Sequence, residues 1–169
     1  LLDDIGIEGQ QKLRDAHALV IGAGGLGSPV ALYLGTAGIG RLTICDHDTV
    51  DLTNLQRQIA HRNDRIGSPK AMSARQTLLD IDPGLQIQAI QRRADAALLE
   101  DLVPQADVVL DCSDNFRTRH AVNAACVKHG KPLVSGAAIG FDGQISVYDS
   151  RNGRTPCYAC LFPPEADYE

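Results

Sequence analysis

An α/β fold built on a doubly wound, mainly parallel sheet is what this sequence predicts, on three observations. Short apolar runs, partly β-branched and ending in Gly, Asp or Ser, alternate along the chain with longer runs of helical spacing. The first apolar run leads directly into a glycine-rich hexapeptide that opens a helix. The second run ends in an aspartate about 20 residues beyond those glycines, where a ribose-binding acid belongs.

The elements follow in order. Residues 1–15 are amphipathic and interrupted by glycine, and read as a helix with a loop. Strands are expected at 18–22, 41–46, 86–90, 107–111 and 133–138. Helices are expected between them at 26–37, 69–79, 94–102 and 115–129. Residues 144–149 alternate apolar and polar side chains and read as an added strand, with an antiparallel direction left open. From Arg151 onward the chain is richer in Pro, Gly and charge and leaves this rhythm. With no repeat, low-complexity tract or linker, residues 1–169 read as one domain.

Composition narrows the function. Apolar residues make up 44% of the chain, which fits a packed core rather than disorder. The formal net charge is −5 and no basic block stands out, so nucleic-acid binding is not expected as the main activity. No apolar run approaches the roughly 20 residues of a membrane span, and no leader pattern follows Leu1. A cytoplasmic protein without a membrane anchor is expected, and the opening Leu1 suggests part of a longer gene product. Five cysteines at irregular spacing argue against a disulfide framework. Cys45, Cys112 and Cys126 lie in apolar stretches and read as small buried hydrophobes.

The hexapeptide Gly22-Ala23-Gly24-Gly25-Leu26-Gly27 is a GxGxxG at a strand-to-helix junction. Gly22, Gly24, Gly25 and Gly27 would permit a tight turn and close approach of backbone amides to a phosphate, with the helix dipole behind them. Together with Asp46 at the end of the second strand, this gives a Rossmann-like nucleotide site. NAD is the ordinary ligand of such a site. The stretch after Asp46 points elsewhere, because it inserts a polar segment carrying Asn54, Arg57 and then Lys70. Arg57 and Lys70 are suited to a triphosphate and to departing pyrophosphate, although either alone would read as a surface charge. The fourth strand ends in Asp111-Cys112-Ser113-Asp114-Asn115. Asp114 there is a candidate Mg²⁺ ligand beside ATP phosphates; the competing role for Ser113 or Asp114 is capping the next helix. Arg57, Lys70 and Asp114 are the candidate catalytic residues. The five histidines are scattered and form no Ser/His/Asp set. Cys157 and Cys160 form a CxxC that reads as half a structural zinc site, against a redox pair or two unliganded thiols.

GAGGLG, DHDTVDLTNLQRQ, GSPKA, DCSDN and CYAC occur together and in this order. The chain thereby resembles the ThiF/MoeB/HesA family, bacterial relatives of ubiquitin-activating enzymes, over nearly its whole length. The resemblance implies that Asp46 holds the ribose hydroxyls and that Asn54, Arg57 and Gln58 line the phosphate site. It implies Lys70 on the phosphates, Asp114 on Mg²⁺, and Asn115 beside it in the nucleotide site. The implied activity is ATP-dependent adenylation of the C-terminal glycine carboxylate of a ubiquitin-like sulfur-carrier protein ending in Gly-Gly. A homodimer is also implied, each site completed by an arginine from the partner's N-terminal segment. Further expectations are a second CxxC closing the zinc site, and in some members a carrier-linked cysteine, all outside this chain. LLDDIGIEGQQKL leans towards ThiF-like proteins and VSGAAI towards MoeB-like ones, so thiamine and molybdopterin biosynthesis stay open as pathways. The competing functions are an NAD-dependent oxidoreductase and a noncatalytic carrier-binding scaffold.

Overall fold

The computed structural model describes residues 3–164. Helix α1 (Gly6–Asp15) precedes the central strand β1 (His17–Ile21). There follow α2 (Gly27–Thr36), β2 (Arg41–Cys45), α3 (Lys70–Ile81), β3 (Gln86–Ile90), α4 (Ala96–Leu102), β4 (Val108–Asp111) and α5 (Phe116–His129). The chain then forms β5 (Leu133–Ile139), β6 (Asp142–Tyr148) and a short helix α6 (Tyr158–Leu161). The strands lie in the order β3-β2-β1-β4-β5-β6. All neighbours pair in parallel except β5 and β6. The expected doubly wound sheet is therefore present, and the added strand is antiparallel. Element ends differ from the sequence reading by a few residues, as helix ends without strong caps do.

Strand β1 sits in the middle because all five of its residues are apolar or hydrogen-bonded and all are buried. Its alternate side chains serve two cores. Ala18 and Val20 pack with Leu42, Ile44, Ala71, Ala74 and Leu78 under α2 and α3. Leu19 and Ile21 pack with Leu98, Leu99, Val109, Val122 and Leu133 under α4 and α5. Burying a side chain such as Leu78 or Leu99 is worth about 2 kcal/mol. His17 is a satisfied core residue: its ring nitrogens reach the Gln105 carbonyl and Thr43 Oγ1, each at 2.8 Å. Cys45 and Cys126 are buried as expected. Cys112 departs from that expectation, being only half-buried, because it leaves β4 at the cavity wall. Burial pushes all three thiols up to about 12, which leaves them unreactive.

Register brings the strand ends level. Ile21 pairs with Cys45 on one side and with Asp111 on the other. The residues that follow, Gly22, Asp46 and Cys112, therefore open into one crevice, at the point where strand order reverses between β1 and β4. Among the described residues, no helix is long and apolar enough to cross a membrane.

Candidate functional site

The crevice is a cavity of about 960 Å³. Its floor is the turn from β1 into α2. Gly22 adopts φ +96°, and a Cβ there would lie 2.7 Å from the Cys112 carbonyl oxygen. A Cβ at Gly27 would stand 1.8 Å from the Gly22 carbonyl oxygen, so the first and last glycines are demanded by the backbone itself. Gly24 and Gly25 differ. Their missing Cβ atoms would meet only Gln58 at 3.6 Å and Arg57 at 3.8 Å, which is ordinary contact. Absence of a side chain at these two positions opens the space above the loop.

The aspartate ending β2 locks that loop. Asp46 accepts hydrogen bonds from the Ala23 amide and the Asp48 amide, both at 2.7 Å. The segment after it doubles back as a clamp. Thr49 bridges Pro69, Lys70 N–H donates to the Asp48 carbonyl, and Val50 N–H donates to Ser68. This clamp is how the inserted polar segment delivers Lys70 to the end of β2. Lys70 is buried, and its Nζ lies 3.3 Å from Asp48 Oδ2. Arg57 is exposed and lines the cavity over Gly25. Gln58 is buried over Gly24, and its Oε1 has no hydrogen-bond partner. A buried amide oxygen without a partner at a cavity wall marks a place for a donor from a ligand or water.

On the opposite side, the β4–α5 turn contributes Ser113, Asp114 and Asn115. The capping question has a clear answer. Asn115 is the N-cap of α5, accepting from Thr118 N–H at 2.9 Å, while Ser113 Oγ donates to Asp111 at 2.6 Å. Asp114 is thereby free of capping, exposed, and on the cavity wall. Behind it Asp111 is buried, and burial pushes its carboxyl up against the pull of Ser113 and Arg119. Arg119 donates to the carbonyls of Ser113 at 2.5 Å and Gly136 at 2.8 Å, tying this turn to β5.

The third wall is the β5–β6 hairpin. Ser135, Ala137, Ala138, Gln144 and Ser146 face the cavity, whereas Ile145 and Val147 are exposed. Tyr158 and Phe162 close the base of that wall beside the CxxC. Cys157 and Cys160 hold their Sγ atoms 3.6 Å apart. Burial pushes the Cys157 thiol up, but hydrogen bonds from Asn123 and from Cys160 outweigh it and leave the thiol below its usual range.

Of the residues singled out from sequence, Gly22, Gly24, Gly25, Asp46, Arg57, Gln58, Lys70, Asp114 and Asn115 all line this one cavity. Gly27 supports it from just inside α2. Asn54 does not line it. Its carbonyl accepts from the amides of Arg57 and Gln58, and its side chain donates to Thr53 Oγ1, so it shapes the turn that presents both residues. Sequence reasoning missed Asp48, His61, Arg92, Arg93 and Arg119. Asp48 was legible as the second acid of the DHD run. Arg93, 3.1 Å from His47 Nε2, and Arg119 carried no local signal.

The chain is 47% identical over 169 residues to the sulfur carrier protein ThiS adenylyltransferase of Escherichia coli, covering all of this chain and 67% of that protein. It is 46% identical over 160 residues to the adenylyltransferase and sulfurtransferase MOCS3 of Dictyostelium discoideum, covering 95% of this chain but 37% of that one. Among solved structures, that of E. coli MccB with ATP superposes with a TM-score of 0.83 at 29% identity, covering 90% of this chain and 46% of that one. The ThiF family model matches residues 1–169, and the chain belongs to the ThiF family.

Proposed function

We propose that this domain uses ATP to adenylate the C-terminal glycine carboxylate of a small ubiquitin-like sulfur carrier, releasing pyrophosphate. The observation that carries this reading is convergence: Asp46, Arg57, Lys70 and Asp114 meet over the glycine loop in one cavity. A dinucleotide site would leave the two cations and Asp114 without a shared task. The E. coli relative is named for adenylating the carrier ThiS, and the MccB structure was solved with ATP. The first name supports a sulfur-carrier protein as the adenylated partner, and the second supports ATP as the nucleotide.

The chemistry asks little of the protein beyond position and charge. A carrier carboxylate oxygen attacks the α-phosphorus, the bond from that phosphorus to the bridging oxygen of the β-phosphate breaks, and pyrophosphate leaves with the electron pair. The carboxylate is already ionised, so no general base is required. In this reading Asp46 receives the ribose hydroxyls. The open space above Gly24 and Gly25 receives the phosphates, and Arg57 and Lys70 offset their charge. Gln58 offers its unpartnered Oε1 to the nucleotide or its water. Asp114, released from capping by Asn115, fits a Mg²⁺ ligand; the ion would offset phosphate charge during transfer. The 3.6 Å between Cys157 and Cys160 fits two thiolates sharing a tetrahedral zinc, for which about 3.8 Å follows from Zn–S bonds near 2.3 Å. Asn123 donating to the Cys157 sulfur supports its thiolate form. A cytoplasmic homodimer, with each site completed by its partner, belongs to the same proposal.

Carrier-dependent exchange of pyrophosphate into ATP by the full-length protein tests the reading. Exchange with a ThiS-like carrier would assign thiamine biosynthesis, and exchange with a MoaD-like carrier molybdopterin biosynthesis. Absence of exchange with either carrier, in protein that nevertheless binds it, would favour the noncatalytic scaffold. Reduction of NAD would favour the oxidoreductase.

A further inference from the structure

His61 ends the polar insert and is buried, and it does not line the cavity. Its Nε2 lies 2.8 Å from the Ala23 carbonyl oxygen, in the middle of the glycine loop. Its Nδ1 lies 3.0 Å from Ser73 Oγ, one helical turn beyond Lys70 on α3. A carbonyl can only accept, so Nε2 carries the hydrogen and the neutral ring accepts the Ser73 hydroxyl at Nδ1. The groups around the ring agree with a neutral imidazole. Burial lowers its pKa, the Ala23 bond and Asp46 oppose this, and Lys70 and Arg65 lower it further.

We propose that His61 is a positioning residue that sets the glycine loop and the Lys70 helix at a fixed separation, so that amides and ammonium meet the same polyphosphate. The inference deepens the adenylating reading and rests on it. Both peptide groups of Ala23 are tied down: its amide donates to Asp46 and its carbonyl accepts from His61. A planar peptide with its carbonyl held towards His61 must point the Gly24 amide the opposite way. Fixing the Ala23–Gly24 plane thus fixes where the Gly24 N–H aims. Without the imidazole the carbonyl loses its shorter bond and its only tie to α3 among the described residues, so the loop loses its registration against that helix. Ser28 Oγ is the only other side chain bonded to this carbonyl among the described residues, and at 3.3 Å it is the longer bond. It joins the loop to its own helix, not to the one bearing Lys70.

The test uses the full-length protein with Mg-ATP and compares wild type with His61→Ala, His61→Gln and Ser73→Ala. Calorimetric ATP affinity and carrier-saturated pyrophosphate exchange are read well below each variant's unfolding temperature. For His61→Ala the expected result is an ATP Kd and KM raised about tenfold, with kcat changed by less than a factor of about three. His61→Gln keeps a donor within reach of the Ala23 carbonyl and is expected to recover most of that loss. Ser73→Ala is expected to fall between wild type and His61→Ala. A folded His61→Ala protein that binds ATP as wild type does overturns the proposal, as does a His61→Gln variant as weak as His61→Ala. Should His61→Ala fail to fold, the comparison of His61→Gln and Ser73→Ala with wild type decides it, with unaltered ATP affinity in Ser73→Ala counting against it. Wild-type protein that binds no ATP refutes the adenylating reading itself and this inference with it.

Discussion

On the glycine-loop side of the cavity a methyl group added at Gly27 would stand 1.8 Å from a backbone oxygen. On the β5–β6 side, one added at Gly143 would find its nearest neighbour 4.0 Å away. The first side is buried and cross-tied through Asp46, His61 and the Thr49–Pro69 bridge. The second is a hairpin at the sheet edge, with small or polar side chains towards the cavity and exposed apolar ones, Ile145 and Val147, behind. The difference fits the two ligands of the proposed reaction, which are unequal in character. A nucleotide has the same shape at every turnover and rewards a preorganised wall. A flexible peptide tail needs clearance instead.

The largest expected effect breaks the tight side. Gly27→Ala should destabilise the protein by about 3 kcal/mol in denaturant unfolding, because the clash is with backbone that cannot rotate away. Gly143→Ala should stay within about 0.5 kcal/mol of wild type. Gly25→Ala sharpens the contrast, since its Cβ meets only Arg57 at 3.8 Å. Stability should be kept there while ATP affinity falls, because the methyl takes space that the proposed reading gives to phosphate. A loss of stability in Gly25→Ala equal to that of Gly27→Ala would abolish the distinction between the two kinds of glycine.

Next in size is Asp114→Ala. Pyrophosphate exchange should fall about a hundredfold with little change in unfolding free energy. Asn115→Ala should instead cost about 1 kcal/mol of stability through the lost cap. Stability and activity falling in parallel for Asp114→Ala would assign that carboxylate a structural role.

The tight side also contributes a pH dependence. His61 has its pKa lowered below 6.5 by burial, so it stays neutral in the folded state where the unfolded chain already takes up a proton. The unfolded state then binds more protons, and stability falls as pH drops through the window below 6.5. The slope from this one residue is at most about 1.4 kcal/mol per pH unit. Urea unfolding across that window should show a shallower decline for His61→Gln. An unchanged slope would mean that other groups govern acid stability.

The fold and the glycine-loop wall of the cavity were largely legible in the sequence, because glycines, strand ends and the polar insert are adjacent or evenly spaced along the chain. Gly22, Asp46 and Asp114 announce themselves by standing at the ends of apolar runs. What stayed hidden depends on contacts between distant segments. His61 reads as one histidine among five until the fold sets it between Ala23 and Ser73. Arg119 reads as a helix-surface charge until α5 turns it under Ser113 and Gly136. The sequence offers Ser113 or Asp114 as the cap of α5, and the backbone geometry instead selects Asn115, one residue further on. Asn54 is the reverse case: its motif position suggested a ligand contact, and its carbonyl is what shapes the turn.

The smallest expected effect tests the open side. Ala137 pairs with Gln144 across the hairpin and is half-buried, while Ala138 is exposed, and both line the cavity. Close helix–sheet packing would account for small residues at buried positions, but it does not account for an exposed one. A passage for a Gly-Gly tail does, because the attacking carboxylate must come within about 3–3.5 Å of the α-phosphorus and a displacement of roughly 1 Å is costly. Ala138→Leu should therefore lower carrier-dependent exchange about tenfold while leaving calorimetric ATP affinity within a factor of about two. Ala137→Leu should do the same with some added loss of stability, since its Cβ is partly packed. Wild-type exchange in Ala138→Leu would move the tail's path off β5. Joint loss of ATP binding and exchange would mean that the hairpin holds the nucleotide wall in place, and the two sides of the cavity would no longer be separable.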